Sequence, residues 1–577
     1  MGLHHHSDKP WRVRVDDADG TPCGAGVLLD EWHVLTCAHV VRDAGAAPGG
    51  SAAGLRITSV ACRPEWTRTA RVAPRSWVQK NDTHRGDVAL LRLDEPADCG
   101  TRTTLWRVPL SGGSVSVYGF PHASRTLGMG ADAELAGSGG REGEWGLLNR
   151  VRPGGPWIEP GYSGAGVAVG DGEFKDRVIG IVVADYVDGD AHAAWMLPTE
   201  TIQAYLPQIE PFTDGVRTND LGPSGGKWPD DVLGDSLRLA LTQELTRLLD
   251  GRWAGAVVVG TGGATGAGGS WLVRLVRTAD PAARAGLSDA EIAGAPGDTV
   301  LGLGAIDAAY DARGRSVEDV QGYLTERFGL PGGDDREIVH QLLRRRPPAC
   351  LVVGGVDRAE DPGELVRRLL GPLAVRARTR GLRLALGFED RPPSGMPYEV
   401  SLDAERLTAN VPGGVTGSVT AEVAEAAVGQ LAAEEDAAAR LQAESGRKFF
   451  GAPRLPIAAA PRLRVRTAVA RGAGPDPELA AIHLHAAAAR AEVARFAKEL
   501  ELMVATLEDL RKALDVHRVR AARYFGDEDL ALGDLYAPAA RELQTPPIDL
   551  AAARKRVRRY IDEVNRRIEE GEWRAEG

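Results

Sequence analysis

The sequence predicts a multidomain chain with an all-β region over residues 10–210, an α/β region over 229–430 and an all-α region over 431–577. Three observations predict it. Short β-branched runs punctuated by Gly, Pro and Asp fill the first segment. Strand-like and helix-like runs alternate through the second. Long stretches without Pro, rich in Ala and Glu, dominate the third. At 577 residues the chain also exceeds what one ordinary core can organise.

In the first region the strand signals are Val27-Leu-Leu, His33-Val-Leu, Val88-Ala-Leu-Leu-Arg-Leu, Val115-Ser-Val-Tyr and Val178-Ile-Gly-Ile-Val-Val. Their regular spacing with turn residues between them predicts a barrel or sandwich. A linker is expected over 211–228, from Thr213-Asp-Gly to Pro223-Ser-Gly-Gly-Lys227. In the α/β region, periodicity predicts helices over 232–249, Val317–Phe328 and 338–344. Apolar runs at Ala256-Val-Val-Val, Cys350-Leu-Val-Val and Leu382-Arg-Leu-Ala-Leu predict buried strands. Beyond it, helices are expected over 417–446, 478–524 and 550–572, with Pro538, Pro546 and Pro547 marking the connection between the last two. Long helices so joined predict a hairpin or bundle. Leu500, Met503, Leu507, Leu510 and Leu514 form a helical stripe that is either the tail's own core or a partner surface.

Composition narrows the function. A net charge of −11 argues against a nucleic-acid partner. The five cysteines, Cys23, Cys37, Cys62, Cys99 and Cys350, are odd in number and include no C-x-x-C, so neither a disulfide framework nor a metal site is expected. No apolar run is long enough to span a membrane, and the first residues lack the apolar stretch of a secretory signal. The expectation is a cytoplasmic protein with reduced thiols and no cofactor.

Three separated segments carry chemistry. Gly24 to Val41 contains Thr36-Cys-Ala-His39, a His at the end of a strand pair. Gly86-Asp87-Val-Ala-Leu-Leu opens an apolar strand with an acid, and a buried carboxylate there needs a specific partner. Gly161-Tyr-Ser163-Gly-Ala-Gly sets a serine between glycines. A serine hydroxyl is a weak nucleophile until a base takes its proton. His39 can do so near neutral pH, and Asp87 would fix its tautomer. The N–H groups of Gly161 and Ser163 are candidates for an oxyanion hole.

With those residues in the order His, Asp, Ser, the region 10–210 resembles chymotrypsin/trypsin-like serine proteases, especially bacterial members of the Htr type. The resemblance implies two β-barrels with a His39, Asp87 and Ser163 triad at their interface. Tyr162 stands before the nucleophile where the family often has Asp or Asn, so activation by N-terminal clipping is not implied. Trp157 occupies the position that is acidic in proteases cutting after Arg or Lys, leaving Trp157 and Asp185 as candidate specificity-pocket residues. Asp185, Asp188 and Asp190 are expected to form a solvated loop. Cys37 lies before His39 and not after it, so the family's common disulfide there is not implied.

The α/β region resembles STAND/NACHT-type P-loop ATPases that have lost their chemistry. Ala256-Val-Val-Val-Gly leads into a Gly-rich stretch containing Gly263, Gly268, Gly269 and Ser270. Gly269 stands where the phosphate-binding Lys belongs, and no lysine occurs between Lys227 and Lys448. Cys350-Leu-Val-Val-Gly354 resembles a Walker B strand with Gly in place of the metal-binding acid, and Asp357 follows three residues later. Gly304-Ala-Ile-Asp-Ala-Ala-Tyr resembles the middle segment of such a module. The fold without ATP hydrolysis is therefore expected. By this resemblance the chain is a regulated effector protease of a bacterial signalling or defence system, acting on protein substrates and taking a regulatory partner through its helical region. The alternatives are an inactive scaffold or peptide-binding protein, and a cytoplasmic quality-control protease.

Overall fold

The computed structural model describes residues 9–48, 55–62, 65–81, 85–97, 102–139, 144–151, 155–188, 191–221, 233, 236–250, 253–260, 271–285, 287–402, 419–470, 477–525 and 529–576. The chain divides into two compact units, residues 1–406 and 407–577.

The first unit begins with a closed six-stranded antiparallel barrel. Its strands are β1 (Arg12–Asp16), β2 (Pro22–Leu28), β3 (His33–Thr36), β4 (Arg56–Ser59), β5 (Thr67–Val78) and β6 (Val88–Leu93), closing in the order β1-β2-β3-β6-β5-β4. Alternation places Val13, Val15, Val27, Leu35, Ile57 and Leu91 in a common core. After β7 (Leu105–Trp106) comes a second set: β8 (Ser111–Gly119), β9 (Met129–Gly139), β10 (Trp145–Arg150), β11 (Gly166–Val169), β12 (Val178–Asp188) and β13 (Ala191–Pro198). These pair as β11-β8-β9-β10-β13-β12, and a β11–β12 pairing closes them into a second six-stranded barrel. Val115, Val117, Leu148, Val167, Ile179 and Met196 fill it. Closure leaves neither barrel a free edge.

Where a solvated loop is expected at Asp185 and Asp188, β12 continues as strand to Asp188, with Asp185 opposite Ala194 and Asp188 opposite Ala191, while Asp190 lies outside the described residues. Ladder hydrogen bonding to the Ala-rich β13 outweighs the weak strand preference of the aspartates. Of the expected linker, residues 211–221 are described and are built in. Thr213–Asp214 forms β14 beside β7, and Asn219 bridges to Ala309 of the next sheet.

That sheet is parallel, in the order β16-β17-β18-β15-β19, from β15 (Gly255–Gly260), β16 (Ala308–Asp311), β17 (Cys350–Gly354), β18 (Arg383–Phe388) and β19 (Val400–Leu402). Burial of β15 and β17 along their whole length explains their unbroken apolar sequences. The helix Val317–Phe328 forms over its expected span. Ser316 and Asp319 close a reciprocal cap at its start, and Gly329 ends it in the left-handed conformation. The helix expected over 232–249 is observed at Ser236–Leu249.

The described part of the second unit is built of the helices Ala421–Ser445, Ala460–Ala470, Pro477–Phe525, Leu530–Gln544 and Leu550–Glu576, with one isolated bridge between Phe449 and Ile548. Pro538 does not mark a connection, because it lies inside Leu530–Gln544. Burial of Leu532, Ala539 and Leu543 on either side holds that helix despite the missing N–H. The stripe resolves as core: Leu500, Leu507 and Leu514 are buried, with Met503 and Leu510 packed against them. Among the described residues, no helix is long and apolar enough to cross a membrane.

The cysteines correct one expectation. Cys62 is disulfide-bonded, whereas Cys23, Cys37 and Cys350 are free thiols.

Candidate active site

The three chemistry-bearing segments are tied together by direct contacts. His39 lies in the short helix Ala38–Asp43 that follows β3 directly. Asp87 immediately precedes β6, and β3 pairs with β6 through Thr36 and Ala89. This pairing sets the two side chains beside each other. One oxygen of Asp87 accepts from the His39 backbone N–H at 3.0 Å, and the other lies 2.7 Å from Nδ1. Asp87 has no solvent exposure, while the His39 side chain is about a quarter exposed. The buried carboxylate thus spends both oxygens on His39. Its hydrogen bond to Nδ1 leaves Nε2 as the ring nitrogen able to accept a proton.

Asp87 has φ of 77°, in the left-handed region that few non-glycine residues occupy. Its own N–H donates to Val78 at 3.0 Å.

Ser163 sits on the turn between β10 and β11, held by contacts that cross to the first barrel. The Ser163 carbonyl accepts from Ala25 N–H on β2 at 2.8 Å. Gly164 N–H donates to the Val182 carbonyl at 2.8 Å, and the same carbonyl accepts from the Cys37 thiol at 3.1 Å. One oxygen therefore ties the residue after Ser163 to the residue two before His39. Gly161 and Gly164 have φ of 109° and 83°. A Cβ on Gly161 would run into the Phe120 carbonyl, and one on Gly164 into the Ala25 carbonyl and Thr36 hydroxyl, so only glycine fits either place.

The turn leaves two donors exposed to use. Tyr162, Gly164 and Ala165 all give their N–H groups to backbone carbonyls. Among the described residues, the N–H groups of Gly161 and Ser163 have no acceptor.

Cys37, His39 and Asp87 bring three potential metal-donor atoms within 4.8 Å of one another. Full burial pushes the Cys37 thiol well above its ordinary range, and it donates to the Val182 carbonyl. Tyr162 is fully buried and packs on Gly119; desolvation holds its phenol in the neutral form. Trp157 is buried in the second barrel's core beside Ile158. Asp185 lies on β12, and its side chain is outside the described residues.

In the parallel sheet, Gly263, Gly268, Gly269 and Ser270 lie outside the described residues. Gly354 ends β17, and Leu221 fills the space where its side chain would stand. Asp357 accepts from the backbone N–H of Glu389 at 2.9 Å and of Asp390 at 2.8 Å, so it caps a turn. Around it, Arg358 pairs with Glu389 and Asp390, and Arg313 with Asp311, forming an ion-pair network at the carboxyl ends of β16, β17 and β18.

Residues missed by sequence reasoning include Cys37 in its linking role, Val182, and the pair Arg85 and Glu144 directly behind Asp87. No local pattern marks them, because each acts through contacts made by folding.

Residues 24–181 match the family model described as a trypsin-like peptidase domain. No curated protein matches the chain. Among solved structures, one of kallikrein-related peptidase 10 in complex with Zn2+ is similar to it, at 20% identity and a TM-score of 0.28, covering 38% of this chain and 100% of that one.

Proposed function

Given a trypsin-like peptidase domain at residues 24–181, we propose that the chain is a serine endopeptidase that cleaves protein substrates through an acyl-enzyme on Ser163. His39 Nε2 takes the Ser163 hydroxyl proton as Oγ attacks the scissile carbonyl. Asp87 keeps the proton on Nδ1 and stabilises the imidazolium that forms. The free N–H groups of Gly161 and Ser163 receive the oxyanion. Collapse breaks the C–N bond, and His39 returns its proton to the leaving amine. Water then repeats the cycle on the ester and frees Ser163.

The observation that carries this reading is the buried Asp87 carboxylate bound by both oxygens to His39. A solvated or merely structural carboxylate has no need of that arrangement, whereas a base that must offer Nε2 does. The experiment is hydrolysis of an unfolded protein such as casein by purified full-length protein. Turnover that is lost in Ser163→Ala supports the reading, and undiminished turnover in that variant removes it.

The parallel-sheet region fits a regulatory role without nucleotide turnover. Gly354 offers no carboxylate, and Asp357 is spent on a turn. The resemblance to STAND-type modules supports a regulated effector of a bacterial signalling or defence system, switched by a protein partner at the helical region and not by an ATP cycle.

A further inference from the structure

Directly behind Asp87, one buried carboxylate holds two consecutive residues. Glu144, which precedes β10 in the second barrel, accepts from Gly86 N–H at 3.1 Å and from Arg85 Nε at 3.2 Å. Tyr205 donates its hydroxyl to the same carboxylate at 2.9 Å. Arg85 and Glu144 are 7% and 4% exposed, a degree of burial at which an ion pair persists only when its remaining groups are also satisfied.

What satisfies Arg85 comes from the parallel-sheet region. Its terminal nitrogens donate to the carbonyls of Arg284 at 3.0 Å and Leu287 at 3.2 Å. These carbonyls lie at and just beyond the end of the short helix Pro281–Ala285, about 200 residues further along the chain, and the Arg284 carbonyl also accepts from Leu287 N–H at 3.0 Å. Asp280 anchors the start of that helix. It accepts from Ala282 N–H at 2.8 Å and from the Asn219 amide at 3.1 Å.

Asp87 needs such support. Left-handed backbone at a non-glycine residue persists only where its surroundings over-determine it. Gly86, also at positive φ, carries the constraint from the clamp to Asp87.

We propose that Arg85 and Glu144 are positioning residues for Asp87, and that the parallel-sheet region completes their clamp with the Arg284 and Leu287 carbonyls. Docking of that region then sets how firmly Asp87 holds His39, and displacing it lowers the protease's reactivity. This rests on the reading of Asp87 and His39 as part of the catalytic machinery.

The test compares full-length wild type, Arg85→Lys and Asp280→Ala. Two readouts are taken: kcat and KM on a peptide ester, and the low-field proton resonance of His39 Nδ1–H, which reports the Asp87 hydrogen bond whether or not the protein turns over. Lys keeps the charge at position 85 but lacks the planar fork that reaches Glu144 and two carbonyls together. Arg85→Lys is expected to lower kcat by about 10- to 100-fold at unchanged KM, the scale of a small misplacement of a catalytic group, and to weaken the resonance. Asp280→Ala, made in the parallel-sheet region alone, is expected to lower kcat about threefold or more and shift the same resonance. If Arg85→Lys does not fold, Asp280→Ala decides. Asp280→Ala indistinguishable from wild type in both readouts would overturn the proposal. A wild type that shows the resonance but no turnover would sink the protease reading, and the resonance in the variants would still decide the clamp.

Discussion

Replacing Asp87 with Asn perturbs one atom and probes the geometry sharply. Asp87 accepts two hydrogen bonds from His39, at 3.0 Å from the backbone N–H and 2.7 Å at Nδ1. An amide can accept only one of them. Its oxygen facing the backbone N–H turns its NH2 toward Nδ1, which must then be unprotonated. The proton moves to Nε2, and the base can no longer accept from Ser163. Wrong-tautomer substitution in serine-protease triads costs about 10⁴ in kcat, or on the order of 5 kcal/mol in the barrier. Asn is isosteric and uncharged at a site with no exposure, so folding should survive. The assay is single-turnover acylation by a p-nitrophenyl ester, with thermal unfolding as the control. Acylation within tenfold of wild type in a folded Asp87→Asn protein would refute the tautomer argument.

Three further outcomes follow from the same structure. Gly164→Ala should destabilise the chain by about 2 kcal/mol or more, since left-handed backbone alone costs an L-residue ~1–2 kcal/mol and the new methyl also meets the Ala25 carbonyl; a melting temperature equal to wild type would contradict this. Purified protein should show no Mg²⁺-dependent ATP hydrolysis, with or without a partner; robust release of phosphate that Asp357→Ala abolishes would show that the turn-capping role is wrong. Burial raises the Glu399 carboxyl from 4.5 to about 7, so the native state binds more protons than the unfolded chain between those values and stability falls as pH rises through that window. Denaturant titrations from pH 4.5 to 8 should show a loss on the order of 3 kcal/mol that is absent in Glu399→Gln, and parallel curves for the two proteins would count against it.

The candidate site is legible in the sequence because its parts are local. A His ending a strand pair, an Asp opening an apolar strand and a Ser between glycines each need only a few neighbours to be visible. The strands β15, β17 and β18 were legible for a similar reason, since strands buried on both faces are apolar throughout. The extension of β12 to Asp188 was not, because pairing with β13 decides it and the local propensities of Asp185 and Asp188 point the other way. Pro538 misled because a helix packed on both sides of the proline tolerates the lost hydrogen bond. The clamp behind Asp87 had no signature at all. Arg85, Glu144 and the Arg284 and Leu287 carbonyls are ordinary groups in sequence and meet only in the folded unit.

The most direct test of the central claim is where a fluorophosphonate probe bonds. Full-length wild type, Ser163→Ala and His39→Ala are treated with the probe, digested and mapped by mass spectrometry. The account predicts one adduct, on Ser163, absent in Ser163→Ala and formed at least about 10³-fold more slowly in His39→Ala, where the base that activates the hydroxyl is gone. Labelling of Ser163→Ala at the wild-type rate, or a folded wild type that carries no adduct on Ser163, would contradict it.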